Sequence, residues 1–174
     1  ISHFNLLGTV GHLSLDDEYS QIINSVSNIS GDFARLNYRV AHDQGLGPYF
    51  FFFNQLSGQM ASKNLDSSQK LLLGGPLAVR AYGIGEGSVD KGVLFTTELR
   101  ARWQPKLPVW VGEGNHITFA AFFDQGWGAY YRQPIANLSE NNINLSCFSL
   151  KKLLLLIFCI IFASKLLVLC QNKF

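Results

Sequence analysis

The sequence predicts an all-β protein of long antiparallel strands, in a composition that suits a membrane barrel. Three observations carry this. Charged residues make up 15% of the 174 positions, against about a quarter in soluble domains. Aromatic residues are 13%, and there are 16 glycines. Several runs alternate between apolar and polar side chains, as strands between two unlike surroundings do. A soluble β-sandwich is also rich in glycine and aromatics, so composition alone leaves that architecture open.

Taken in order, His3 to Leu15 is apolar with glycines and uncharged, and reads as a strand. Asp16 to Asp32 opens on an acidic run (Asp16, Asp17, Glu18) and is rich in Ser and Asn, so it reads as an exposed loop. Phe33 to Ala41 alternates, with Leu36, Tyr38 and Val40 on one face and Arg35, Asn37 and Arg39 on the other. Asp43 to Pro48 is a turn cluster. Tyr49 to Ala61 opens with four consecutive phenylalanines after a tyrosine. On a water-facing strand they would be costly; an aromatic girdle or a buried core strand accommodates them.

Leu65 to Arg100 is the stretch around which the chain is organised. A glycine-dense loop (Gly74, Gly75, Gly83, Gly85, Gly87) surrounds Val79-Arg80-Ala81-Tyr82. Such a loop makes sense if it folds back into a walled space where Arg80 meets a partner. Gly92 to Trp103 is the clearest strand. Val93, Phe95, Thr97, Leu99, Ala101 and Trp103 lie on one face, and Leu94, Thr96, Glu98, Arg100 and Arg102 on the other. Arg or Lys facing lipid at the bilayer midplane costs about 2–4 kcal/mol, so in a membrane setting the charged face points inward. Gln104 to Asn115, with two prolines and two glycines, reads as a turn. His116 to Gly126 is the next strand, and its parity places Phe122, Asp124 and Gly126 on the inner side.

These two motifs carry a resemblance. From about His3 to Pro134 the chain resembles the outer-membrane transporters of two-partner secretion, the haemolysin activator/secretion type. Those proteins have a long loop with a Val-Arg-Gly-Tyr/Phe tip folded into the barrel lumen, behind a Leu-Gly-Gly lead-in. A later Phe-x-Asp-x-Gly strand supplies an aspartate that pairs with the arginine. Here the tip is Val79-Arg80-Ala81-Tyr82, with alanine where the family has glycine, and the strand is Phe122-Phe123-Asp124-Gln125-Gly126. The resemblance implies a loop lock, Arg80 on Asp124. Tyr82 and Phe122 would pack around it, with Glu98 and Arg100 close by. It also implies a barrel of about sixteen strands, of which about five would be supplied here.

The implied function is export of a large secreted partner, such as a haemolysin or adhesin, across a Gram-negative outer membrane, with membrane lipid as the surrounding partner. The family's periplasmic recognition domains precede its barrel and are not in this sequence, and no leader is visible before Ile1. The expectation is therefore a partial barrel, residues 1–134, that does not transport by itself. Two alternatives stand beside it: an outer-membrane assembly or insertion factor of the same superfamily, and a soluble β-sandwich binding protein.

Residues 135–174 change character. They lack glycine, contain Cys147, Cys159 and Cys170, and run apolar from Leu153 to Cys170. They are expected to be an aberrant tail outside the family pattern, read as a frameshifted product or as a membrane helix. No cysteine precedes them, which fits a body made for an oxidising compartment without disulfides.

Other chemistry finds no support. A net charge of +2 gives no case for nucleic acid. His3, His12, His42 and His116 have no ligand spacing, so no metal is expected. Gly83 to Ser88 lacks the third glycine of a dinucleotide loop. No nucleophile stands beside a plausible base, so neither an enzyme nor a cofactor is expected.

Overall fold

Where the sequence alternates, the chain is extended. The computed structural model describes residues 1–103, 116–135, 140–155 and 167–170. Its frame is β1 (Ser2–Leu13), β2 (Gly31–Gly45), β3 (Phe50–Ala61), β6 (Lys91–Trp103), β7 (His116–Ala129), β8 (Asn142–Leu155) and β9 (Leu167–Cys170). These form one antiparallel sheet in the order β1-β2-β3-β6-β7-β8-β9. Two short strands, β4 (Leu71–Leu72) and β5 (Ser88–Val89), pair separately inside the β3–β6 connection. The six long strands of the main sheet have 12 to 15 residues each. A tilted strand crosses a bilayer core with about 9–11. This is the all-β, open antiparallel sheet of a partial barrel.

Period-2 geometry sorts the side chains. One cross-sheet row on the inner face runs Ala41, Gln55, Thr96, Asp124, Cys147. The opposite face carries Leu36, Val40, Leu56, Leu99, Phe119 and Trp127, all large, apolar and exposed. Polar groups on that outer face pair with one another. Ser2 Oγ lies 2.8 Å from His42 Nδ1, Thr97 donates to Asn54 at 2.9 Å, and Gln125 donates to Asn144 at 2.7 Å. Such pairing is what a polar group facing hydrocarbon requires.

The sequence reading needs correction in three places. Asp16–Asp32 is not simply a loop, because Glu18–Ser27 is a helix, α1. Asp17 caps it, accepting from the Ser20 amide at 2.9 Å, and Asn28 closes it in the left-handed region (φ 51, ψ 51). Tyr19, Ile22, Ile23 and Val26 do have helical spacing, but the Ser and Asn between them hid it. Next, β2 runs on through Gly45, so the reversal is confined to residues 46–49, with Leu46 donating to Phe50 O at 2.8 Å.

The third correction concerns the tail. Within the stretch read as a possible helix, 142–155 and 167–170 are strands. Residues 156–166 and 171–174 lie outside the described residues, as does the turn expected at Gln104–Asn115. Residues 142–147 of β8 do alternate, but with reversed polarity: its inner face is covered by apolar loop residues, so Leu145 and Cys147 point inward while Asn144 and Ser146 point out. Among the described residues no helix is long and apolar enough to cross a membrane.

The Asp17 cap has a pH signature. Hydrogen bonds from Ser20 hold its carboxyl below the ordinary aspartate value. A depressed folded pKa contributes stability above the unfolded pKa, about 3.9, and loses it as pH falls through the folded value. Amide exchange at Ser20, corrected for intrinsic rate, should stay flat down to about pH 4 and accelerate below it. In Asp17→Ala the acceleration should vanish.

Candidate functional site: the infolded loop and its arginine

The connection between β3 and β6, residues 62–90, turns back over the inner face of the sheet. Its ribbon is β4 with β5, extended by Leu73 donating to Gly87 O at 3.1 Å and Gly74 to Glu86 O at 3.0 Å. Beyond the ribbon the tip curls. Gly75 takes φ 129, which only glycine adopts without strain, and receives the Ala78 amide at 3.0 Å. Val79 then donates to Leu73 O at 2.9 Å, and Tyr82 to Val79 O at 3.2 Å. Gly74 is needed for closeness: a Cβ there would stand 2.5 Å from the Gly83 carbonyl. Ala81, the departure from the family tip, is exposed, and the positive-φ turns fall at Gly75, Gly85 and Gly87 instead. An alanine is therefore accommodated.

The loop is seated by an apolar cluster. Leu73, Val79 and Val89 are fully buried, packed with Leu94 of β6, Phe122 of β7 and Leu145 and Cys147 of β8, with Tyr82 against the edge. Gly126 makes room for it: a Cβ there would meet Leu94 Cδ2 at 3.1 Å and Val79 Cγ2 at 3.2 Å. On the other flank a cleft of about 660 Å³ separates the loop from the wall of β1–β3. Pro76, Leu77 and Ile84 line it on the loop side, and Asn37, Arg39 and Ser57 on the wall. The tip thus leans on β6–β8 and stands clear of β1–β3, while the base of the loop is held to β2 and β3, where Arg35 and Gln59 both donate to Gln69 O.

That seat delivers Arg80 to Asp124. Nε donates to Oδ2 at 2.8 Å and Nη2 to Oδ1 at 2.9 Å, a two-pronged guanidinium–carboxylate pair. The Arg80 backbone amide adds a 3.3 Å contact to Oδ2. Asp124 is 1% exposed and the Arg80 side chain 27%. Nη1 reaches Glu98 at 3.2 Å, while the other Glu98 oxygen accepts from Arg100 Nε at 2.8 Å. The guanidinium lies 3.5 Å over the Phe122 ring. Two cations and two carboxylates therefore balance in one network, buried at Asp124 and open to solvent at Arg100, in which lysine could not replace the planar fork at Arg80. The sequence-derived residues Val79, Arg80, Tyr82, Glu98, Arg100, Phe122, Asp124 and Gly126 converge here, with Ala81 at the exposed side of the tip.

A second polar cluster, at the base of the loop, went unread in the sequence. Asp90, Lys70, Asn64 and Arg132 meet there, described below. Its signal was faint: a single acidic residue between two strand-like dipeptides, Ser88-Val89 and Lys91-Gly92.

A family model of the haemolysin secretion/activation protein ShlB/FhaC/HecB matches residues 26–142, which takes in the loop, β6 and β7. The chain belongs to this family. Among curated relatives of the ShlB/FhaC/HecB type, the heme/hemopexin transporter protein HuxB of Haemophilus influenzae strain 86-028NP is 39% identical over 115 residues. That match takes 65% of this chain and 19% of the relative. A second HuxB sequence from Haemophilus influenzae is 36% identical over 133 residues, 75% of this chain and 22% of its own. The chain spans about a fifth of the length of these family members. No solved structure matches it.

Proposed function

We propose that this chain forms part of an outer-membrane translocator that exports a large partner exoprotein by two-partner secretion, with Arg80–Asp124 as the lock of its infolded loop. The observation that carries this reading is the two-pronged pair of Arg80 with Asp124 against the inner wall, at 2.8 and 2.9 Å. A charge pair buried under a loop on the inner face of the sheet supports a loop folded into a lumen. The cleft beside β1–β3 leaves the loop room to swing once the pair opens. Similarity to heme/hemopexin transporters favours a haem- or hemopexin-binding exoprotein as the partner.

The outer face supports a lipid surround, being largely apolar, with Thr97 paired to Asn54 and Gln125 to Asn144. Strands β1 and β9 each have one neighbour among the described residues. Unpaired edges in lipid cost several kcal/mol per backbone group, so both edges would pair with further strands in the working barrel. By itself the chain is expected not to transport.

The test is secretion. The protein, inserted in the outer membrane of a Gram-negative host with a candidate haem-binding exoprotein carrying a family secretion signal, should deliver it to the medium only when barrel-closing strands are supplied. Membrane extraction discriminates further: release of the chain by carbonate would overturn the barrel reading.

A further inference from the structure

Ten positions before and ten after Arg80 stand Lys70 and Asp90, a second buried charge pair. Asp90 is 0% exposed and stands between β5 and β6, where the loop rejoins the sheet. Lys70, at the opposite arm of the loop just before β4, lies 3.1 Å from its Oδ1, and that ammonium is only 10% exposed. The same carboxylate accepts the Leu65 amide at 3.2 Å and the Arg132 amide at 2.8 Å. The Lys70 ammonium also donates to the Tyr130 carbonyl and sits 4.0 Å over the Tyr131 ring. One side chain therefore ties together the outgoing arm of the loop, its returning arm and the β7–β8 connection.

Neighbours complete the tie. Gln59, 2% exposed, donates to Gln69 O at 3.0 Å and Asp90 O at 3.3 Å. Asn64, 2% exposed, donates to Ser27 O at 2.7 Å and accepts the Gln133 amide at 2.6 Å. Every group held this way lies at the end of the sheet where the loop enters and leaves. None touches Arg80 or Asp124.

We propose that Asp90, neutralised by Lys70, is a positioning residue. It sets the spacing of the two arms at the loop base, so that the tip falls where Arg80 can reach Asp124. The proposal rests on the loop-lock reading for its consequence in export, though the clamp itself is a matter of loop placement. The geometry favours it because the ribbon is short: β4–β5 has two paired positions, and only the Leu73–Gly87 and Gly74–Glu86 hydrogen bonds carry it further. So short a ribbon does not hold its own register. With the base loosened, a slip of one residue would turn Val79 out of its seat and carry Arg80 away from Asp124. The charge matters as well as the shape: asparagine would keep an acceptor for one amide but would leave Lys70 buried without a counter-charge.

The experiment uses Asp90→Asn, Arg80→Ala and their combination in the membrane-inserted protein supplied with barrel-closing strands, with two readouts. Hydrogen exchange at the Val79 and Tyr82 amides reports tip placement, and secreted exoprotein reports export. Asp90→Asn should speed tip exchange at least about tenfold and lower export, yet cause no further loss of export in the Arg80→Ala background. Lys70→Met, which leaves the amide acceptors of Asp90 in place, should act in the same direction and serves if Asp90→Asn fails to insert. Faster exchange confined to the Leu65 and Arg132 amides, with the tip unchanged, would overturn the proposal. So would an additive loss of export in the double variant. If Arg80→Ala exports normally while Asp90→Asn still loosens the tip, the lock reading fails and the positioning role stands.

Discussion

Arg80→Ala is expected to release the infolded loop and, in the barrel completed with its closing strands, cut export by at least about tenfold, the largest single effect in this chain. The reason is asymmetry of burial. Asp124 is 1% exposed and Arg80 27%, so removing the arginine strands a carboxylate that water cannot reach. Losing one partner of a buried pair costs about 3–5 kcal/mol; the partly open arginine side places this pair at the lower end. About 3 kcal/mol is a factor of about 100 in the ratio of seated to released loop. Asp124→Asn should do less, because Arg80 keeps Glu98 at 3.2 Å and some access to water. Arg80→Lys should fall between, since a point charge cannot serve both carboxylates as the fork does. Secretion and tip-amide exchange measure the series together. An Arg80→Ala protein that exports like the parent would remove the lock from the account.

Leu73→Ala should come next. Leu73 is 0% exposed and lies under the loop, against Val79 and near Gly126. Large-to-small changes at such sites cost about 2–5 kcal/mol, more where the gap cannot collapse. Here the wall is a hydrogen-bonded sheet, which cannot close in. The loss should stay local: exchange should speed at Leu73, Gly74 and Val79 while the β1–β2 ladder is unchanged, because the cluster rests on β6, β7 and β8. Uniform acceleration across the sheet would show that the loop carries the stability of the whole frame, and would contradict the picture of a seated, separable element.

The charge pair was legible before any coordinates through the resemblance, which implies it on Val79-Arg80-Ala81-Tyr82 and Phe122-Phe123-Asp124-Gln125-Gly126, and two features of the residues agreed with it. Strand parity put Asp124 on the same face as Glu98, and the glycine-dense loop marked a chain that turns back. The base clamp was not legible. Lys70 and Asp90 are 20 positions apart, on arms that only the loop's return brings together, and neither sits in an alternating run. Helix α1 was hidden for another reason. Its apolar residues do repeat at helical spacing, but in a Ser- and Asn-rich segment cap chemistry at Asp17 and Asn28 decided the outcome. In β8 the alternation of residues 142–147 runs with reversed polarity, apolar side in, because the loop, not water, lies against its inner face.

The pairing of Arg80 with Asp124 came from the resemblance of two motifs to the family; by itself the amino-acid order determined the strand class and the inward and outward faces of β2, β6 and β7. Those depend on period 2 and on which side chains tolerate lipid, both local properties. Only the tertiary structure decided where the loop leans, that Gly126 opens the seat for Val79, and that Asp90 gathers three backbone segments. Those depend on contacts between residues far apart in the chain, and no local pattern encodes a distance across a folded sheet.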